Sequence, residues 1–184
     1  MAEAMTPPRV KLFCGMIAAR RELFDEAAEL LTGAFGPADL VSDVMDFDFT
    51  HYYDRAMGSP LYRRFISFRD LVSPDVLVEV KLATNAMERR FADRVPPGQP
   101  PRPINLDPGI IDTSKLVLAS MKDFSHRIYL GRSVFAEVTL MFHKNGWESL
   151  PWTFPDYASP RYHSFLTAVR RRLGEQRAAE DPHA

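Results

Sequence analysis

Four groups able to carry positive charge, Lys115, Lys122, His126 and Arg127, fall within one short stretch, close to turn hydroxyls and amides at Asp112, Thr113 and Ser114. Lysine and arginine offer charge-assisted donors, and a helix start adds oriented amides, so the set could hold a phosphate or a carboxylate. If residues 113–121 are helical, Lys115 and Lys122 share one face, seven residues apart. His126 has the chemistry of a general acid or base near neutrality, with Asp123 to orient it and Asp107 as a further acid or base. A plainer account competes: the lysines are solvated, Arg127 pairs with Glu137 across a hairpin, and His126 turns toward the core beside Val138. The anion reading requires Lys115 and Arg127 to lie on the same side of the molecule.

A second constellation is Asp46 and Asp48. On one face of a strand their Cα atoms stand about 6.5 to 7 Å apart, a spacing suited to a shared divalent metal ion or to an acid and base pair. No third oxygen ligand is identifiable, which keeps a solvated strand face in contention. His51, Tyr52 and Tyr53 follow directly, either as the wall of a cleft or as an aromatic packing corner. The single cysteine, Cys14, lies in the apolar run Val10 to Ile17 and reads as a small hydrophobe.

Several chemistries lack their motif. The chain has no G-x-x-x-x-G-K-[ST], G-x-G-x-x-G, H-E-x-x-H, C-x-x-C or G-x-S-x-G. With 46% apolar and 26% charged residues the composition is that of a folded globular chain, and a net charge of −1 offers no basic field for nucleic acid. A single-strand RNA binder stacking bases on Tyr52, Tyr53 and Tyr129 is disfavoured for the same reason. Neither a secretory leader pattern nor a membrane span is recognisable, so a cytoplasmic protein without membrane association is expected, its oligomeric state open.

The elements that must position these groups follow from periodicity. Val10 to Ile17 reads as a strand buried on both faces, and Glu22 to Phe35 as an amphipathic helix ended by Gly36 and Pro37. A period-two pattern from Leu40 predicts a strand with Met45, Phe47 and Phe49 on one face. Leu61 to Leu71 predicts another, with Tyr62, Arg64, Ile66 and Phe68 opposite Arg63, Phe65, Ser67 and Arg69. Ser73-Pro74-Asp75 starts a second helix whose stripe is Val76, Leu77, Val80, Ala83, Met87 and Phe91. The prolines from Pro96 to Pro103 exclude helix and central strand.

The chain re-enters the sheet at Ile104, turns at Asp107-Pro108-Gly109, and Asp112 caps a helix over 113–121, with a strand as the alternative there. Two hairpins follow. The first turns at Gly131-Arg132-Ser133, setting Leu130 against Val134, Ile128 against Ala136 and Arg127 against Glu137, with Val134, Ala136, Val138, Leu140 and Phe142 on one buried face. The second turns at Asn145-Gly146. A last helix starts at Ser159-Pro160. The expected fold is α+β, with an antiparallel or mixed sheet, a ferredoxin-like βαββαβ first half, C-terminal β-hairpins and helices mainly on one face. One domain spans 9–173, between a disordered tail over 1–8 and a frayed polar tail over 174–184.

Many segments together resemble a bacterial family described as domain of unknown function 4416. They include Val10 to Gly15, Phe47-Asp48-Phe49-Thr50 with Tyr52-Tyr53, Lys81-Leu82-Ala83-Thr84-Asn85 and Asn105-Leu106-Asp107-Pro108-Gly109. Ser114 to Ala119, Lys122 to Leu130, Ala136 to Leu140 and Trp152 to Tyr157 continue the match over nearly the whole chain. The resemblance implies no activity, and some relatives carry a GTP-binding label although this chain has no P-loop. The polar residues crowded at turns and strand ends suggest a protein that binds or processes a phosphate-bearing small molecule such as a nucleotide, with a divalent metal ion as a cofactor to be tested. The competing expectation is a non-enzymatic scaffold that meets a partner through the aromatic segment 147–157.

Overall fold

Every residue of β1 (Val10–Ala18) is buried, as its apolar run from Leu12 to Ala18 requires. It lies near the middle of one antiparallel sheet, in a computed structural model that describes residues 1, 3–144 and 146–180. After β1 come α1 (Leu23–Phe35), β2 (Ala38–Val41), β3 (Met45–Asp46), α2 (Asp54–Met57), β4 (Tyr62–Val72), α3 (Leu77–Ala92) and β5 (Ile104–Ile111). Then follow β6 (Lys115–Ser120), β7 (Ile128–Gly131), β8 (Val134–His143), β9 (Gly146–Ser149), α4 (Pro155–Ala158) and α5 (His163–Glu180). The strand order is β2-β4-β1-β5-β6-β8-β7, with β3 on β4 and β9 on β8. The fold is α+β, and the sheet is antiparallel rather than mixed.

Alternation on β1 and β4 divides the core. Leu12, Cys14, Met16, Ile66 and Phe68 pack with Phe24 and Leu31 of α1 and Leu77, Val80 and Phe91 of α3. Phe13 and Phe65 turn the other way, against Tyr157, Tyr162, Leu166 and Val169. The expectation of helices mainly on one face is therefore corrected: α1 and α3 cover one side and α5 the other. A strand with no polar alternation needs cover on both faces. Lys11, 0% exposed, bonds Asp39 and, at 3.1 Å, Gln176 of α5, which fastens that helix to the sheet.

Several local expectations are overturned. Asp107, Pro108 and Gly109 form no turn; they are strand residues of β5, opposite Gly15, Cys14 and Phe13. β6 pairs β5 only from Gly109 onward, so at Pro108 the strand has one partner and a missing donor is tolerated. Of the two states expected over 113–121 the helix gives way to the strand alternative, β6, and Asp112 caps a turn instead: its Oδ1 accepts from Ser114 N at 2.6 Å and Lys115 N at 2.8 Å.

In the first C-terminal hairpin Ile128 does face Ala136, but Gly131 rather than Leu130 meets Val134. Residues Arg132 and Ser133 take positive φ of 52° and 61° there. A bulge where Leu116 meets Leu140 and Val117 meets Val138 splits the expected single face of β8. Val134 and Ala136 join the α1/α3 side, and Leu140 joins the α5 side. The second hairpin pairs Phe142 with Trp147 and His143 with Gly146, while its turn residue Asn145 lies outside the described residues. Helix α5 continues past Gly174 to Glu180; Ala2 and 181–184 of the expected tails also lie outside the described residues.

Candidate functional site

β5 and β6 share only three residue pairs, Gly109 with Leu118, Ile110 with Val117 and Ile111 with Leu116. Gly109 permits this close approach, since a Cβ there would stand 2.6 Å from Val117 O and 2.7 Å from Phe13. Beyond that ladder β5 stays with β1 as far as Ile104, whereas β6 stays with β8 as far as Ser120. The strands part, and a cleft of about 520 Å³ opens between them.

An unpaired strand edge inside a protein needs substitute partners. Helix α3 supplies them: Glu88 Oε1 accepts from Leu106 N at 2.8 Å, and Lys81 Nζ donates to Leu106 O at 3.1 Å. Lys81 and Asn85, four residues apart on one face of α3, both line the cleft. Arg102 donates to Glu88 at 2.9 Å and to Asn105, whose Nδ2 in turn donates to Asp107 at 2.6 Å. Burial raises the Glu88 carboxyl above its usual range, against the opposing pull of Arg102 and Lys81.

Arg63 of β4 also lines the cleft, although its side chain is only 3% exposed. It donates to Asp156 Oδ2 at 2.6 Å and approaches Asp107 Oδ2 at 3.5 Å. The Phe47, Phe65, Tyr157 and Tyr162 rings stand 5.2 to 5.7 Å from its guanidinium carbon. Burial works against the charge, but Asp156, the two tyrosines and Asp107 outweigh it and hold Arg63 firmly protonated. Gly15 makes the room, since a Cβ there would lie 2.7 Å from the guanidinium. Arg63 Nε and the Tyr157 hydroxyl are buried without a hydrogen-bond partner among the described residues. Burial also pushes the Tyr157 phenol up, and that of Tyr53 up to about 12.

Glu137 of β8, with a side chain 1% exposed, receives both Arg127 Nε and His126 Nε2 at 2.8 Å on the same oxygen. Arg127 also donates to Ser120 Oγ and Lys122 O, and the His126 ring stacks on Trp152 at 5.1 Å. At the rim Lys122 Nζ donates to Tyr52 Oη at 2.9 Å, and that bond holds the Tyr52 phenol below its usual range.

The structure brings only part of the expected set together. Lys122, Arg127 and Asp107 line the cleft. His126 reaches it through Glu137, and Asp123 is exposed beside it without lining it. Lys115 is at the far end of β6, five residue steps or roughly 17 Å of strand from Ser120, paired with Asp112. The group predicted around Lys115 and Arg127 therefore does not assemble as a whole. Asp46 and Asp48 converge on Arg161, which bonds Asp46 O at 3.0 Å and Asp48 Oδ1 at 2.7 Å. Among the described residues no three His, Cys, Asp or Glu side chains gather as a metal site.

Sequence reasoning missed Arg63, Lys81, Asn85, Arg102 and Asp156 as site residues. A signal existed for one of them: Lys81 falls four residues after Leu77, at a spacing that belongs to the buried stripe of α3.

Five cationic side chains, Arg63, Lys81, Arg102, Lys122 and Arg127, and three acidic ones, Asp107, Glu137 and Asp156, line the cleft. Asp156, Glu88 and Glu137 pair with Arg63, Arg102 and Arg127 respectively. Lys81 and Lys122 have no carboxylate in ion-pair reach among the described residues. A family model described as a domain of unknown function (DUF4416) matches residues 8–173. No curated protein and no solved structure matches the chain.

Proposed function

The chain belongs to the family of domain of unknown function DUF4416, and we propose that in this chain the split between β5 and β6 is a binding site for a phosphate-bearing small molecule. The observation that carries the reading is that Lys81 and Lys122 have no carboxylate in ion-pair reach among the described residues, in a concave cleft of about 520 Å³, a size suited to small ligands. Aromatic side chains of Phe49, Tyr52, Tyr53 and Phe154 share the lining and favour a ligand with a flat ring, as in a nucleotide. The anion group is then Lys81, Lys122 and Arg127, with Lys115 outside it. Asp107, 26% exposed at its side chain, is the carboxylate available as an acid or base.

The scaffold for this site fits the expected ferredoxin-like half. The order β2-β4-β1-β5, with α1 after β1 and α3 after β4, supports that arrangement, and the hairpins β6 to β9 extend it on the β5 side. No helix among the described residues is long and apolar enough to cross a membrane.

A second reading has its own observation: Phe124, Ile128, Tyr129 and Leu130 are exposed along and beside the edge strand β7, and Trp152 and Phe154 are exposed nearby in sequence to α4. A partner-binding surface there suits a scaffold protein. The concave polar cleft favours the ligand reading over it. Thermal-shift screening of nucleotides, phosphosugars and divalent ions should raise the Tm of the wild type, and the shift should vanish in Lys122→Ala. A screen silent for every phosphate compound sinks the ligand reading and leaves the scaffold.

A further inference from the structure

The cleft holds more hydrogen-bond donors than it uses. Lys81 is 5% exposed, and its ammonium, with three protons to give, donates only to Leu106 O among the described residues. Arg63 and Tyr157 line the same cleft, and Arg63 Nε and the Tyr157 hydroxyl are buried without an acceptor among the described residues. Asn85 adds a carboxamide one helical turn beyond Lys81. Buried donors are costly to leave unmade, so a floor of this kind matches a ligand end rich in acceptor oxygens. Toward solvent the chemistry changes to flat apolar surface, where Tyr52 is 68% and Phe154 40% exposed.

Resting on the cleft reading above, we propose that the ligand is a nucleoside monophosphate, its phosphate seated on Lys81 and Tyr157 at the cleft floor and its base against the Tyr52, Tyr53 and Phe154 wall. A phosphate monoester carries about −1.5 to −2 charge at pH 7, which the two uncompensated lysines balance. The buried ammonium takes the phosphate because a low dielectric strengthens the attraction there. Further phosphates bring negative charge that no unpaired cation of the lining offsets among the described residues, next to the carboxylates Asp107 and Glu137. Inorganic phosphate and phosphosugars lack the flat aromatic ring that the rim accommodates.

Isothermal titration of AMP, GMP, CMP and UMP, the four nucleosides, the four triphosphates and inorganic phosphate tests this on the wild type, Lys81→Met, Lys122→Ala and Tyr157→Phe, each checked by circular dichroism. At least one monophosphate should bind the wild type, with its nucleoside and triphosphate weaker by 10-fold or more. Loss of a charge-assisted bond in Lys81→Met should weaken the monophosphate by about 10- to 100-fold. Tyr157→Phe removes a hydroxyl that has no partner among the described residues, so the unliganded Tm should hold or rise while binding weakens about 2- to 10-fold. That variant keeps the proposal testable if Lys81→Met does not fold. Triphosphate binding as tight as monophosphate binding, or full affinity in Lys81→Met or Tyr157→Phe, overturns the monophosphate assignment while leaving a phosphate cleft. No binding by any phosphate compound overturns both.

Discussion

Arg63 shows how one side chain can be both structural and part of a site. Its guanidinium is enclosed by aromatic rings, tied to Asp156 at 2.6 Å, and still lines the cleft. A buried pair of this sort is far more costly to break than to have omitted, because the surviving charge is left without its partner. Asp156→Ala should therefore destabilise the protein by about 3 to 5 kcal/mol, read from urea unfolding. A loss below about 1 kcal/mol, the range of exposed pairs, would show that Asp107 alone satisfies Arg63. The Arg127 and Glu137 pair was legible as a cross-strand match, but its energetics were not. Expected at the surface, it lies with side chains only 10% and 1% exposed, and Glu137 also receives His126.

At the scale of elements the site exists because two strands separate and a helix repairs the gap. Glu88 of α3 takes the place of a neighbouring strand at Leu106 N, and in doing so is buried. Burial raises its carboxyl above the ordinary 4.5, so the folded protein holds that proton more tightly than the unfolded chain does. Its contribution is thus complete below 4.5 and is lost as the pH rises through the folded value. Wild-type stability relative to Glu88→Gln should fall as the pH climbs through the mildly acidic range, read from urea midpoints at successive pH values. A difference independent of pH would refute the raised carboxyl. The turn expected at Asp107-Pro108-Gly109 failed for a related reason: proline and glycine usually punctuate, but here they sit where β5 loses one partner and then approaches β6 too closely for a side chain.

For the whole molecule the decisive fact is that the sheet is covered on both sides. Helix α5 closes the second face through Leu166 and Val169, both 0% exposed, over the Phe13 and Phe65 side of the sheet. Leu166→Ala should destabilise by about 2 to 5 kcal/mol in chemical denaturation, the usual range for emptying a buried leucine position. An effect under about 1 kcal/mol would mean that α5 is a loosely attached appendage. Tyr162, immediately before this helix, and Tyr157 of α4 build the aromatic surround of Arg63, so the packing of α5 and the cleft floor are linked.

Taken alone, the sequence determined the family, the α+β class, the buried first strand, α1, β4 and α3, and the two C-terminal hairpins, because hydrophobic period and turn chemistry are local properties of the chain. It also offered the pairing of Arg127 with Glu137 as one of two accounts and placed Lys122, Arg127 and Asp107 among the candidates. Tertiary structure alone decided which of these meet. Whether 113–121 is a helix or a strand depends on the edge that β8 offers it, and Lys115 is carried away from Lys122 by that choice. Arg63, Lys81, Arg102 and Asp156 are far apart in sequence, and their convergence on one cleft follows from where β5 and β6 part, which no local pattern encodes.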